Sequence, residues 1–254
     1  MKNYNTTQLH PELCLEKHVF HRDQFAHVFR WSHVLKRAKI GMNILDFGCG
    51  SGNLAELLYR NKFKANCYLG LDIRRQTVKA NRDKFKDVPW VYFNEVDLCL
   101  QDFKLPMTGL NGTKVASWDL ICCFEVAEHI TKKNVPQFLK NIAKLCSHDT
   151  IVLISTPCFD EQTGAANNHI INGEICEMTY QEFKLLLEVE FDIINHYGTF
   201  ASQKDYKDKL DIYPGLRNIF DRLHEYYDSN ILACLMAPLF PAQSRNVLWE
   251  CQVK

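Results

Sequence analysis

The chain has 254 residues, enough for one large domain or two small ones, and its 46% hydrophobic and 24% charged composition is that of an ordinary globular protein. Thirty basic and thirty acidic residues cancel, which disfavours a protein that coats duplex DNA by charge alone. No apolar stretch approaches the ~18 residues of a membrane span, and the first residues lack the apolar core of a signal peptide.

The eleven cysteines are scattered along the chain and form no CxxC pair. Several of them stand inside apolar runs, as in Cys122–Cys123 of the stretch WDLICCFE. This pattern predicts buried free thiols in a reducing compartment, and therefore a cytoplasmic protein without a disulfide framework or a zinc site.

The first predicted element is a helix over residues 21–39, which follows a polar tail. Its apolar periodicity predicts one core-facing side, made of Phe25, Val28, Phe29, Ser32, Leu35 and Ala38. The same helix is rich in basic residues, which form either a solvated face or a surface that favours an anionic ligand.

After this helix, β-rich runs alternate with helical ones. The predicted strands are residues 43–47, 67–73, 90–98, 118–125, 150–156, 191–199 and 245–253. The predicted helices between them are residues 53–60, 75–85, 135–146 and 180–189. Such alternation, with almost continuously apolar strands, predicts an α/β fold with a doubly wound, seven-stranded, mostly parallel sheet.

We expect one domain over residues 1–254. Its parts are a tail and helix (1–40), a core (41–199), an aromatic-rich helical cap inserted before the last strand (200–243) and that strand itself (244–254). The last strand is predicted to complete the sheet as an edge strand. Aromatic residues of the insert either stack on a ligand or form a small core of the cap.

The stretch ILDFGCGSGNLAELL places Gly48, Gly50 and Gly52 directly after the first strand, with Asp46 two residues before them. Glycines in such a turn indicate positive φ angles or the close approach of another group to the backbone. A dinucleotide fingerprint would need a third glycine at position 53, which is Asn53, so a nicotinamide-dependent oxidoreductase is disfavoured.

The D-x-G-x-G-x-G pattern resembles motif I of the class I S-adenosylmethionine-dependent methyltransferases, and the resemblance extends over about residues 42–199. It implies that the glycines admit the methionine moiety of S-adenosylmethionine and that Asp46 helps to hold its amino group. Asp72, at the end of the second strand, would accept the ribose hydroxyls. Asp97 and Leu98 would lie beside the adenine. The implied cofactor-binding set is Asp46, Gly48, Cys49, Gly50, Gly52, Asn53, Asp72, Ile73, Asp97, Leu98, Phe124 and Glu125.

The fourth strand runs into ICCFEVAEHI, where Glu125, Glu128 and His129 would share one face of a helix that begins there. Similar strings occur in ubiquinone-biosynthesis-type O-methyltransferases and in small-RNA 2′-O-methyltransferases. In the RNA group both glutamates and the histidine bind a divalent metal with one further histidine, for which His169 is the candidate here. The paired histidines of that group are absent, since Ile130 follows His129.

We therefore expect no metal, and we expect His129 near the methyl acceptor as a general base, with Glu128 and His169 as further catalytic candidates. The expected reaction is methyl transfer to an oxygen, or less readily a nitrogen, of a small-molecule or nucleotide acceptor that carries negative charge. A metal-dependent RNA 2′-O-methyltransferase and a non-catalytic cofactor-binding partner subunit remain alternatives. The sequence leaves the acceptor and the oligomeric state open.

Overall fold

A computed structural model describes residues 22–106, 115–159, 169–201 and 203–254. The polar tail predicted before the first helix lies outside the described residues. The helices are α1 (Arg22–Arg37), α2 (Asn53–Arg60), α3 (Arg75–Lys84), α4 (Val135–Ala143), α5 (Tyr180–Glu190), α6 (Gln203–Lys207), α7 (Leu216–His224) and α8 (Ser229–Met236). Within this described part, none of the helices has the length and apolar character needed to cross a membrane.

The strands confirm the predicted runs. They are β1 (Asn43–Phe47), β2 (Cys67–Asp72), β3 (Val91–Glu95), β4 (Trp118–Phe124), β5 (Cys146–Pro157), β8 (Phe191–Ala201) and β9 (Ser244–Val253), and a small hairpin, β6 (Ile170–Ile171) and β7 (Glu174–Ile175), follows β5. The seven-stranded sheet has the order β3-β2-β1-β4-β5-β9-β8. Strands β1 to β5 pair in parallel, whereas β9 is antiparallel to both of its neighbours. The predicted doubly wound, mostly parallel sheet is thus confirmed.

The last strand, β9, is an interior strand, so its prediction as an edge strand is wrong. Cys251 pairs with Val152 of β5 on one side and with Ile193 of β8 on the other. Its segment from Val247 to Cys251 is buried. Strand order depends on contacts between distant segments, and an apolar run at the end of a chain fits either position.

Apolar side chains cover both faces of the sheet. One cluster joins the sheet to α4 and α5, and another joins it to α2 and α3. A third cluster lies in the predicted cap between β8 and β9, where α6, α7 and α8 pack around the buried Tyr206 and Phe220. Tyr206 and Phe220 therefore belong to the core of the cap, while Tyr213, Tyr226 and Tyr227 are exposed.

Helix α1 buries the predicted face only in part: Phe25, Phe29 and Ala38 pack against apolar clusters, but the most deeply buried residues lie elsewhere on the helix. Val28 is 61% exposed and Leu35 is 38% exposed, whereas Arg30 is only 2% exposed and His33 and Val34 are buried. Periodicity misjudged this helix because it assigns apolar residues to the core, and here the sheet offers polar partners instead.

Those partners come from β9 and from the segment after β4. Arg37 forms an ion pair with Glu250, with Nε 2.6 Å from Oε1. The Nη1 atom of Arg30 donates to the Asn246 side chain (3.2 Å) and lies 3.4 Å from Glu125 Oε1. Two of the basic residues that suggested an anionic ligand are therefore neutralised within the protein.

Candidate functional site

The glycine turn after β1 adopts left-handed backbone conformations at all three glycines, with φ of +66° at Gly48, +50° at Gly50 and +73° at Gly52. A Cβ atom at Gly48 would lie 2.4 Å from Cγ2 of Val126, which no real contact allows. The carbonyl of Gly50 accepts a hydrogen bond from the Asn81 side chain (2.7 Å). The turn therefore requires glycine, both for its conformation and for the close approach of the segment after β4.

A cavity of about 590 Å³ opens beside this turn, at the carboxyl ends of β1, β2 and β4, where parallel α/β sheets bind their ligands. The predicted site residues that line it are Gly48, Asp72, Ile73, Asp97, Leu98, Glu125 and His129. The other predicted residues do not line it, namely Asp46, Cys49, Gly50, Gly52, Asn53, Phe124, Glu128 and His169.

The buried carboxylate of Asp72 is held from four directions. Its Oδ1 accepts from the backbone amide (2.8 Å) and the Nε (3.1 Å) of Arg74, and its Oδ2 accepts from the Gly50 amide (3.1 Å) and from Arg74 Nη2 (3.2 Å). Burial opposes ionisation of Asp72, but these hydrogen bonds and the Arg74 charge hold its pKa below the usual value. Asp72 is therefore an anion at neutral pH.

Asp46 lies behind the cavity at the end of β1 and receives a hydrogen bond from the hydroxyl of Tyr68. Burial raises the pKa of Asp46 from 3.8 to about 7, the Tyr68 hydrogen bond opposes the rise, and the Asp72 charge adds to it. Unlike Asp72, Asp46 exchanges its proton near neutral pH.

The raised pKa of Asp46 predicts a pH-dependent stability. Between pH 4 and 7 the folded protein holds a proton that the unfolded chain releases, so this carboxyl lowers the free energy of unfolding as pH rises, by up to about 4 kcal/mol, and changes it little above pH 7. We expect Asp46→Asn to gain stability relative to wild type over this interval, as measured by urea unfolding at a series of pH values. Parallel profiles for the two proteins would contradict the assignment.

Glu125 departs from the predicted helix. It has a left-handed φ of +57°, and Glu128 and His129 lie in a short 3₁₀ turn, Ala127–His129, instead of an α-helix. Its carboxylate accepts hydrogen bonds from Ser155 Oγ (2.7 Å) and Asn246 Nδ2 (2.7 Å). The prediction that Glu125 shares a helical face with Glu128 and His129 is wrong, because partners on β5 and β9 draw its carboxylate away.

The structure does bring Glu128, His129 and His169 together, with one ligand-type atom of each within 4.8 Å of the others. The centroids of the His129 and His169 imidazole rings lie 4.5 Å apart, and the rings meet edge to face. Nδ1 of His169 is 3.0 Å from Oε1 of the fully buried Glu177. Glu128 is buried and accepts from Thr156 Oγ1 (3.1 Å). Segments that follow β4 and β5 thus bring one cluster of titratable side chains together beside the cavity.

The protonation states in this cluster follow from burial. Burial and the neighbouring His169 lower the pKa of His129, so its imidazole is neutral at pH 7 and can accept a proton. Burial and the Glu125 charge raise the pKa of Glu128 well above its usual value, so this carboxyl is protonated.

Several residues of the site escaped the sequence analysis. Glu177 and Arg74 act through contacts to His169 and Asp72, and no motif marks them, although Arg74 stands only two residues after a predicted ligand. Thr131 lines the cavity, and its buried Oγ1 has no hydrogen-bond partner among the residues that the structure describes. Asn134 and Ile171, the latter from the β6–β7 hairpin, complete the wall on that side.

Comparisons with known proteins agree with this geometry. A family model described as "Methyltransferase domain" matches residues 20–193. No curated protein matches the sequence.

Solved structures resemble this chain over most of its length. A TehB-like SAM-dependent methyltransferase from Corynebacterium glutamicum ATCC 13032 Kitasato has a TM-score of 0.54 at 16% identity, over 92% of this chain and 98% of that chain. The N-methyltransferase NodS from Bradyrhizobium japonicum WM9, in complex with S-adenosyl-L-homocysteine, has a TM-score of 0.52 at 11% identity, over 91% of this chain and 86% of that chain. A chain from the complex between the Haloferax volcanii Trm112 methyltransferase activator and a putative methyltransferase has a TM-score of 0.57 at 16% identity, over 91% of this chain and 93% of that chain. At these identities the likeness shows a common fold.

Proposed function

The chain belongs to the methyltransferase domain family, whose model spans more than half of it, and from this premise we propose that it methylates an oxygen atom of a small-molecule or nucleotide acceptor. Its methyl donor is S-adenosylmethionine. The observation that carries the choice of oxygen is His129, an imidazole with a lowered pKa that lines the same cavity as Asp72 and Gly48.

The residues around the cavity fit the donor. The volume of about 590 Å³ suits a nucleoside-sized ligand. In our proposal Asp72 accepts the ribose hydroxyls, Asp97 and Leu98 bound the adenine, and the glycine turn with Asp46 receives the amino-acid end. A positively charged amino group near Asp46 would favour its ionised form and so offset the cost of its burial.

When bound, S-adenosylmethionine would supply an electrophilic methyl group for transfer to the acceptor oxygen, with S-adenosylhomocysteine as the leaving group. His129 accepts the proton that the acceptor hydroxyl loses, a role for which a neutral imidazole at pH 7 is suited. Glu177 holds His169 through its Nδ1 atom, and His169 packs edge to face against His129 and orients it. The lining residues hold the methyl donor and the acceptor in the orientation that the reaction needs. Such orientation provides much of the rate acceleration of methyl transfer.

A labelled-methyl assay tests this proposal. The protein is incubated with S-adenosylmethionine carrying a deuterated methyl group and with separate pools of small metabolites, nucleotides and RNA, and the products are located by mass spectrometry. We expect an O-methylated small molecule or nucleotide, formed equally well in the presence of EDTA. A product methylated on nitrogen, or no product from any pool, would contradict the proposal.

A second candidate function, metal-dependent 2′-O-methylation of RNA, is favoured by one observation. Glu128, His129 and His169 offer two imidazoles and a carboxyl group within 4.8 Å of one another, and a bound cation would favour the ionised form of that carboxyl group. The Glu177 carboxylate supports His169 as outer carboxylates support metal-bound histidines. The same assay separates the candidates. Label in the terminal ribose of RNA, lost with EDTA and restored by Mn²⁺, would establish the second one.

A further inference from the structure

The carboxylate of Asp72 has no free acceptor position in this structure. An ionised carboxylate offers about four lone-pair sites on its two oxygens. Oδ1 accepts hydrogen bonds from the Arg74 backbone amide and from Arg74 Nε. Oδ2 accepts hydrogen bonds from the Gly50 backbone amide and from Arg74 Nη2. A ribose with two free hydroxyls needs two of these four sites.

Only the Arg74 side chain can vacate such sites. The two amides belong to the glycine turn and to the turn into α3, both fixed by their own hydrogen bonds, such as that from Asn81 to the Gly50 carbonyl. The Arg74 side chain is 65% exposed and the Asp72 side chain only 5%, so the guanidinium can swing into solvent while the carboxylate stays in place. Both residues line the same cavity.

We propose that the Arg74 guanidinium occupies the ribose position on Asp72 and competes with the cofactor, so that Arg74 lowers the affinity of the protein for S-adenosylmethionine. The inference rests on the proposed function only in assigning the ribose to Asp72. Arg74 is thereby a determinant of cofactor affinity that acts in the cofactor-free protein.

The size of the effect follows from the exposure of the pair. Asp72 is buried but the Arg74 side chain is largely exposed, so water screens the guanidinium and the pair contributes little to stability. A binding-competent form that is populated only in part weakens the apparent affinity by that fraction. Removing the guanidinium should therefore tighten cofactor binding about two- to fivefold. Salt screens exposed pairs, so the advantage of a variant over wild type should shrink as salt is raised.

Calorimetric titration with S-adenosyl-L-homocysteine, at low and high NaCl, tests the proposal on four proteins: wild type, Arg74→Ala, Arg74→Lys and Arg75→Ala. Arg75→Ala is the matched control, since Arg75 is the exposed neighbour at the start of α3 and its loss changes the net charge equally. Asp72→Ala, which removes the ribose acceptor, serves as the reference for lost binding.

We expect Arg74→Ala to bind two- to fivefold more tightly than wild type at low salt, with a smaller gain at high salt. Arg74→Lys should lie between the two, because an ammonium cannot span both carboxylate oxygens. Arg74→Ala that binds no better than Arg75→Ala, or more weakly than wild type, would overturn the inference while the cofactor site stands. If neither the wild type nor any variant bound the ligand, the assignment of the ribose to Asp72 would be wrong, and both proposals would fail.

Discussion

His129→Ala should lower the rate of methyl transfer by about 10²–10⁴-fold, the usual contribution of a general base, while S-adenosyl-L-homocysteine binds with an affinity within about threefold of wild type. His129 lines the cavity, but it is not one of the proposed cofactor ligands. Because burial and His169 lower the pKa of His129, the wild-type rate should be level at neutral pH and fall only below pH 6.5 as the imidazole gains a proton. Single-turnover rates as a function of pH provide the measurement.

His148→Ala is the matched control, because His148 is almost fully exposed and lies on β5 away from the cavity. It should retain the wild-type rate. A His129→Ala protein that keeps more than a third of wild-type activity would exclude His129 as the base. EDTA treatment of wild type separates the two candidate functions, since chelation leaves a general base intact and removes a metal.

Gly48→Ala should lower the free energy of unfolding by about 3 kcal/mol, the sum of two costs. A left-handed backbone costs an L-residue about 1–2 kcal/mol, and forcing a methyl group into a packed site costs about 1–3 kcal/mol. The new Cβ would lie 2.4 Å from Val126 Cγ2, at a φ of +66°. For a chain of this length the melting temperature should fall by roughly 6–12 °C.

A companion set of variants separates the two costs. Gly41→Ala should lower the free energy of unfolding by the conformational cost alone. Gly41 has a φ of +85°, and nothing lies within 4 Å of the position that a Cβ would take there. In the double variant Gly48→Ala/Val126→Ala the clashing methyl is removed, so a double-mutant cycle should give a favourable coupling of about 1 kcal/mol or more. Additive effects of the two substitutions would show that the turn relaxes without pressing on Val126.

The fold could be predicted from the sequence because the apolar runs of the strands and their alternation with helical segments are both local features of the chain. Continuous apolar runs mark interior parallel strands, and all seven predicted strands of the large sheet are present. Asp46 and Asp72 stand, as predicted, at the carboxyl-terminal ends of β1 and β2, on the side of the sheet where such folds bind ligands, and their proposed roles stay predictions. The glycine turn marked the same edge through a backbone requirement that only glycine meets.

The errors concern features that distant segments decide. The inner position of β9 depends on pairing with both β5 and β8, and the polar buried face of α1 depends on Glu250 and Asn246. Hydrogen bonds from Ser155 and Asn246 turn Glu125 away from the predicted helical face. Periodicity of a single segment contains none of these contacts. Arg74 was missed for a different reason, since its partner is close in sequence but belongs to no motif.

The interior position of β9 has a consequence for synthesis on the ribosome. Residues 244–253 are made after all the other strands of the sheet, yet they fill the gap between β5 and β8 and supply Asn246 and Glu250, which bind side chains of α1 and Glu125. Until they emerge, the nascent chain exposes two unpaired strand edges, which readily pair with other chains. The segment after β4 thus gains the hydrogen bond from Asn246 to Glu125 only once this strand has been made, and until then a chaperone that covers strand edges would protect the nascent chain from aggregation.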